Sequence, residues 1–348
     1  MARSAFRIGG DSVAPGKRKT IHLPLGHLYT HNPITMPVHV IHGRRDGPRL
    51  FVSAAVHGDE LNGIEIIRRL LARRNLQRLR GTLIAVPIVN VLGVVNMSRY
   101  LPDRRDLNRN FPGSERGSLA ARVANVFMKE VVSQADYGID LHTAAIHRSN
   151  LPQIRANLDD DKTRELAEAF GAPVIIKTEL REGSLREVAS QSGIRTLLYE
   201  AGEALRFDEV SIRAGERGVT NVMRSLGMLP PARARKRRHE PVVARASQWV
   251  RAPASGIARM KVGLGSHVKK DQVLGRIADP FGDAATQVTA PCSGVIIGRS
   301  EVPLAYEGEA VFHIARFESV KEAAASVEEF QSTWDPDQNH GSDDSAPR

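Results

Sequence analysis

The sequence predicts an α/β domain, a mixed sheet flanked by helices, followed by a small all-β barrel or sandwich domain. Two observations carry this. Across residues 49–229, short β-prone apolar runs alternate with stretches whose apolar residues recur at helical spacing, the pattern of an α/β domain. Beyond residue 242, Val250-Arg-Ala-Pro-Ala-Ser-Gly256-Ile recurs as Val288-Thr-Ala-Pro-Cys-Ser-Gly294-Val, in a stretch rich in glycine. Two similar halves of that length suit a small barrel or sandwich with internal pseudo-symmetry.

Taken in order, residues 1–48 read as a β-rich lead-in belonging to the α/β domain that follows, with strands at Thr20–Leu25 and Met36–His42. The histidines of the second run are expected to face solvent. Leu50–Val56 reads as a buried strand, and Ile64, Ile67, Leu70 and Leu71 mark the helix after it. Leu83–Val89, Tyr137–Leu141, Pro173–Lys177 and Thr196–Glu200 read as further strands. Leu119–Val132 and Asp160–Phe170 read as helices, the second capped by Asp159 or Asp160. Arg99–Gly113 is polar and punctuated by Pro and Gly, so a loop is expected. Residues 49–229 thus form the α/β domain, 230–241 a basic linker and 242–317 the β domain. In 318–348, a helix at Glu318–Gln331 precedes a polar, acidic tail with nothing to bury, expected to be disordered.

With 348 residues, the chain can hold two domains, and 41% apolar with 25% charged residues is ordinary for a soluble globular protein. One cysteine, Cys292, excludes an internal disulfide framework and suits a reducing compartment. Met1–Asp11 lacks the apolar stretch of a signal peptide, and nothing approaches the length of a membrane span. The expected location is the cytoplasm, with no membrane partner. Part of the net charge of +10 comes from Arg233-Ala-Arg-Lys-Arg-Arg-His239, read as a solvated linker. A nucleic-acid patch is the weaker reading, because no aromatics interleave and aromatics total 5%. A third reading is a positive field that steers an anionic substrate.

The chemistry concentrates at strand ends. His57-Gly-Asp-Glu60 follows directly on Leu50–Val56, so an imidazole and a carboxylate stand at a strand-to-helix junction, where sites of α/β folds form. Both are zinc donors, and a catalytic zinc typically has three protein ligands. His142, ending Asp140-Leu-His142, supplies the third. Asn108 and Arg109 can hold a substrate carboxylate, since guanidinium offers a planar fork of donors. Arg99 is left to face an oxyanion, while Arg104 and Arg105 read as surface residues. Glu200 ends an apolar run and can serve as general base. Glu203 is its rival, past Gly202 where the chain is expected to turn.

Together these elements resemble the succinylglutamate desuccinylase/aspartoacylase family, itself similar in fold to the zinc carboxypeptidases. The resemblance rests on His57-Gly-Asp-Glu60, Asp106-Leu-Asn-Arg109 with Phe111-Pro-Gly, Asp140-Leu-His142 and Glu200, in the family's order across roughly residues 35–230. His-x-x-Glu alone would be weak; the set is specific. It implies a zinc-carboxypeptidase-like sheet and one zinc per chain, held by His57, Glu60 and His142. It implies that Asn108 and Arg109 clamp the substrate carboxylate and that Arg99 polarises the scissile carbonyl, a role Arg104 or Arg105 could take instead. Glu200 becomes the base for a zinc-activated water, then the acid for the leaving amine.

The expected function is therefore a zinc-dependent deacylase cleaving the amide of an N-acyl amino acid or similar small carboxylate-bearing substrate. Alternatives are a metallocarboxypeptidase acting on short peptides and an ester hydrolase using the same site. A binding protein with a vestigial site and a nucleic-acid-binding role are weaker. The β domain resembles biotinyl/lipoyl hybrid-motif domains, including Gly265–Leu274, which carry a modified lysine at the hairpin between their halves. Asp279–Gln287, the corresponding stretch, contains no lysine. A structural role is expected, covering the site mouth or mediating assembly. Oligomeric state is left open, a closed homodimer being the common outcome.

Overall fold

The computed structural model describes residues 3–231, 240–282 and 284–334. The cluster Arg233–His239 and the tail after Trp334, read above as linker and disordered segment, lie outside these residues.

Four neighbouring parallel strands form the centre of the main sheet, in the order Arg195–Glu203, Tyr137–Ala144, Arg45–Ala54 and Arg80–Val86. Pro33–His42 and Lys17–His27 extend one side in antiparallel fashion. On the other side come Arg148–Ala156, Gly294–Ser300, Ala310–Arg316 and Ala246–Arg251, also antiparallel. A separate antiparallel sheet joins Ala285–Thr289, Val273–Ala278, Gly256–Met260 and Leu304–Ala305. The fold is the expected mixed α/β sheet with additional antiparallel β structure towards the C-terminus.

Central strands are apolar on both faces because helices cover both. Successive side chains point to opposite faces of a strand. Leu50, Val52, Ile139, Leu141, Leu197 and Tyr199 therefore pack on Ile66, Ile67 and Leu70 of helix Asn62–Ala72. Helices Asp161–Phe170 and Glu209–Ser225 complete that layer through Leu166, Phe170, Val219 and Met223. On the opposite face, Phe51, Val40 and Ile84 meet Val123 and Phe127 of helix Leu119–Glu130. Phe51 and Phe127 meet edge to face at 6.0 Å, and burying such a ring contributes about 1.5–3 kcal/mol.

Several boundaries differ from the sequence reading for local reasons. The strand expected at Leu83–Val89 is Arg80–Val86, because Pro87 cannot donate to the ladder. Asp160, not Asp159, caps the helix at 161, accepting from the Thr163 N–H at 2.7 Å. The last helix runs Val320–Trp334, with the Ser319 hydroxyl accepting from the Glu322 N–H at its start. His42 does not face solvent. It is buried, its imidazole bonded to the Thr82 hydroxyl at 2.9 Å and the Ser4 carbonyl at 2.9 Å, which compensates its burial.

The two copies of the sequence repeat share one local structure, a strand, a turn, and a strand opening at glycine. They differ in destination. The first copy leaves the main sheet at Ala246–Arg251 and enters the small sheet at Gly256–Met260; the second does the reverse, from Ala285–Thr289 to Gly294–Ser300. The C-terminal region is thereby hydrogen-bonded into the sheet that carries the site residues.

Within this region, the buried His313 imidazole lies 4.2 Å from the Trp249 ring, nearly parallel at 7°. Burial, with a smaller push from Arg155, lowers its pKa to about 3. In the unfolded chain an ordinary histidine protonates near pH 6.5, so the unfolded state binds the extra proton and stability falls as pH drops from about 6.5 towards 3. This one site contributes a slope of at most about 1.4 kcal/mol per pH unit. His313→Phe, which keeps a ring against Trp249, should show a shallower loss of melting temperature between pH 6.5 and 4 than the wild type. An equal slope in the two proteins would count against a buried neutral His313.

Candidate active site and metal centre

The site begins where the Arg45–Ala54 strand ends. Ala55 takes a left-handed backbone, φ 52°, which costs a non-glycine residue roughly 1–2 kcal/mol. The N–H groups of Val89 and Asn90 donate to the carbonyls of Ala54 and Ala55 at 3.1 and 2.9 Å and hold the turn. Gly58 lies against Gly93 so closely that a Cβ would sit 2.0 Å from the Gly93 carbonyl carbon. The turn therefore has one available path, and it delivers His57 and Glu60 to the carboxyl end of the sheet. Tyr137–Ala144 alternates Ile139 and Leu141 towards the helices with Asp140 and His142 towards the site.

His57, Glu60 and His142 converge, all three buried, with one donor atom from each within 4.8 Å of the others. Glu60 is the hub. His57 Nδ1 donates to its Oε1 at 2.6 Å, while His142 Nδ1 at 2.8 Å and the Thr143 N–H at 3.0 Å donate to its Oε2. Each imidazole gives its other nitrogen to a further carboxylate: His57 Nε2 to Asp106 at 3.1 Å, His142 Nε2 to Asp140 at 2.6 Å. Ser53 donates to the other oxygen of Asp140 at 2.7 Å. Burial by itself would push both imidazole pKa values down, but Glu60 with Asp106, and Asp140 with Glu60, outweigh it and hold His57 and His142 above the ordinary value. Burial likewise opposes the charge on Glu60, and the two imidazoles reverse this and keep it ionised.

This donor set fits a divalent ion. Donors around one zinc lie roughly 3–4 Å apart, given zinc–ligand distances of about 2.0–2.2 Å. A metal-binding histidine commonly donates its remaining N–H to a carboxylate, which sets tautomer and ring orientation. Asp106 and Asp140 stand in that relation to His57 and His142. With a cation in place of the two Nδ1 protons, the Nε2 nitrogens of both imidazoles could still donate to Asp106 and Asp140.

The remaining expected residues line the same cavity of about 260 Å³, namely Arg99, Asn108, Arg109 and Glu200. Arg99 is not free to face an oxyanion alone: its guanidinium also reaches Glu60 at 3.3 Å and Asp106 at 3.1 Å. Asp106 accepts from the Asn108 N–H at 2.8 Å, so one carboxylate orients His57, Arg99 and the short 3₁₀ turn Leu107–Arg109. Arg109 is exposed at the rim, and Arg104 and Arg105 lie outside the cavity lining. The Arg195–Glu203 strand puts Glu200 beside His142 in register and, with Leu198, towards the cavity. The chain does not turn at Gly202. It continues as a bulged strand to Glu203, whose carboxylate binds the His147 N–H and Arg206 and lines a different, open cleft. Of the two glutamates, Glu200 lines the cavity that holds His57, Glu60 and His142, and Glu203 does not.

Sequence reasoning missed Asp106 and Asp140 as carboxylate partners of the histidines. Asp140 had a signal, since Asp-x-His on a strand puts both side chains on one face. It also missed Arg155, Arg186, Trp249 and Arg299, which complete the wall from distant segments. Arg186 is buried, bonded to the Thr178 hydroxyl and Glu179 carbonyl, with no carboxylate in ion-pair distance among the described residues. Desolvation, then Arg155, lower its pKa to about 10.

The family model for the succinylglutamate desuccinylase/aspartoacylase catalytic domain matches residues 46–226, over half of the chain. The chain belongs to this family. A curated relative, the N-alpha-acetyl-L-2,4-diaminobutyric acid deacetylase of Halomonas elongata, is 29% identical over 280 residues, covering 76% of this chain and 81% of that protein. A solved succinylglutamate desuccinylase/aspartoacylase from Rhodobacter sphaeroides superposes with a TM-score of 0.77 at 24% identity, over 86% of this chain and 96% of that one. The product-bound ectoine utilization protein EutE (DoeB) from Ruegeria pomeroyi does so equally, with a TM-score of 0.77, 24% identity, and 86% and 95% coverage. At these identities the solved structures bear on the fold. No helix among the described residues is long and apolar enough to cross a membrane.

If the donor set holds a metal, His142→Ala should lose it, while Asp140→Asn should weaken binding about 10–100-fold with the fold retained. Metal content after gel filtration and competition with a chelator measure both. Undiminished metal in His142→Ala would remove that ligand from the set.

Proposed function

We propose that this protein is a zinc-dependent amidohydrolase that deacylates a small N-acyl amino acid. One observation carries the reading: the buried His57–Glu60–His142 cluster opens into the same cavity as Glu200, Arg99, Asn108 and Arg109. A zinc ion held by His57, Glu60 and His142 would act as a Lewis acid, polarising the scissile carbonyl and acidifying a water. Arg109 at the rim and the buried Asn108 bind the substrate carboxylate, and Arg99 places positive charge near the carbonyl oxygen as it becomes negative. Glu200 takes a proton from the attacking water at a carboxylate oxygen and returns it to the leaving nitrogen. Trp249 and Arg299, from the C-terminal strands, narrow the cavity, which supports small amides over peptides.

Charge suggests the substrate class. Seven arginines line the cavity against four carboxylates, Glu60, Asp140, Glu179 and Glu200, and Arg186 has no carboxylate in ion-pair distance among the described residues. An N-acyl amino acid with a second carboxylate suits this excess better than one with a side-chain amine, such as the diaminobutyrate derivative named for the Halomonas relative.

The test is hydrolysis of a panel containing N-acetylaspartate, N-acetyldiaminobutyrate, matched esters and short peptides, with metal content determined in parallel. Acid release should be fastest from the dicarboxylate. Glu200→Gln should retain metal and lose turnover by about 10²–10⁴-fold. Arg109→Ala should act mainly by raising KM. Cleavage confined to peptides would move the protein to the carboxypeptidase reading, and cleavage confined to esters to the esterase reading.

A further inference from the structure

The strand next to the C-terminal strands bonds directly to the proposed base through Asn150. The Asn150 side-chain amide donates from Nδ2 to Glu200 Oε2 at 2.7 Å, and both residues line the cavity. Arg155 stands 3.8 Å from the other oxygen, beyond hydrogen-bond reach. The amide thus fixes the orientation of the Glu200 carboxylate through one of its two oxygens.

Asn150 is itself hemmed in. Its cross-strand partner on Gly294–Ser300 is Gly298, whose partner on Ala310–Arg316 is His313, whose partner on Ala246–Arg251 is Trp249. These four positions form one row across four strands, running from the Glu200 carboxylate to the far wall of the cavity. A Cβ on Gly298 would lie 2.9 Å from Asn150 Oδ1 and 3.3 Å from His313 Cβ. Gly298 is not a left-handed position, so the need for glycine is one of space. On one side His313 is held by its stack on Trp249; on the other, the Asn150 amide would have to yield.

We propose that Asn150 is a positioning residue that orients Glu200, and that Gly298 is required because only a residue without a side chain leaves the Asn150 amide in place. The inference rests on Glu200 acting as the base. Through this row, the C-terminal region sets the geometry of the catalytic carboxylate as well as the size of the cavity.

A double-mutant analysis tests it, with kcat and KM for N-acetylaspartate, or the fastest panel substrate, and metal content measured on each full-length variant. Asn150→Ala should lower kcat about 10–100-fold, the scale expected for a misplaced catalytic group, with KM within about twofold and metal retained. Gly298→Ala should lower kcat in the wild-type background and cost nothing further in Asn150→Ala, where the truncated side chain leaves room for the new methyl. Asn150→Ala should likewise have little effect in Glu200→Gln, because the group it positions is already disabled.

Additive losses from Gly298→Ala and Asn150→Ala would overturn the link between them. Full turnover in Asn150→Ala, with Glu200→Gln inactive, would overturn the positioning role while leaving the base in place. Full turnover in Glu200→Gln would instead remove the base assignment itself. Asn150→Ala deletes only side-chain atoms and leaves the strand pairing intact, so it decides the positioning role even if Gly298→Ala does not fold.

Discussion

Around the carboxylate of Glu60 the fold resolves a conflict on which the rest of the site depends. The side chain is 2% exposed and ionised, and an isolated buried charge of that kind costs several kcal/mol. Two imidazoles, one backbone N–H and the Arg99 guanidinium offset that penalty from four directions. Each imidazole is in turn held by a second carboxylate. The result is an alternating network of charges in which removing any member strands a neighbour, so the positions of His57, His142, Arg99 and Asp106 are set together.

The network draws on segments that are far apart in the chain, and the sheet brings them together. Parallel strands put their carboxyl ends on one edge, where the His57 turn, His142 and Glu200 meet. Asp106 ties the polar loop to that edge. Antiparallel strands then extend the sheet beyond Glu200 and carry Asn150, Trp249 and Arg299 round the cavity. A region that reads in sequence as a separate appendage thus supplies part of the wall, and its strands are continuous with those that hold the proposed base.

Much of this was legible in advance. Buried strands and amphipathic helices have strong periods, so the Asp161–Phe170 helix with its aspartate cap could be read nearly to the residue. The strand read at Leu50–Val56 was found but starts five residues earlier, at Arg45, and ends at Ala54. His57, Glu60, His142 and Glu200 stood out because polar residues that end apolar runs are rare. His42 misled for the converse reason. A histidine in an alternating strand looks exposed unless Thr82 and the Ser4 carbonyl, 40 and 38 residues away, are known to bond it.

Local pattern, then, determined the elements, the candidate ligands and the family resemblance, since each depends on residues within a turn or a strand of one another. Only the tertiary structure decided which carboxylates support the histidines, which glutamate faces the cavity, and that the space beside Asn150 must be left by a glycine nearly 150 residues later in the chain. Those are contacts between strands, and no short stretch of sequence encodes its neighbour across a sheet.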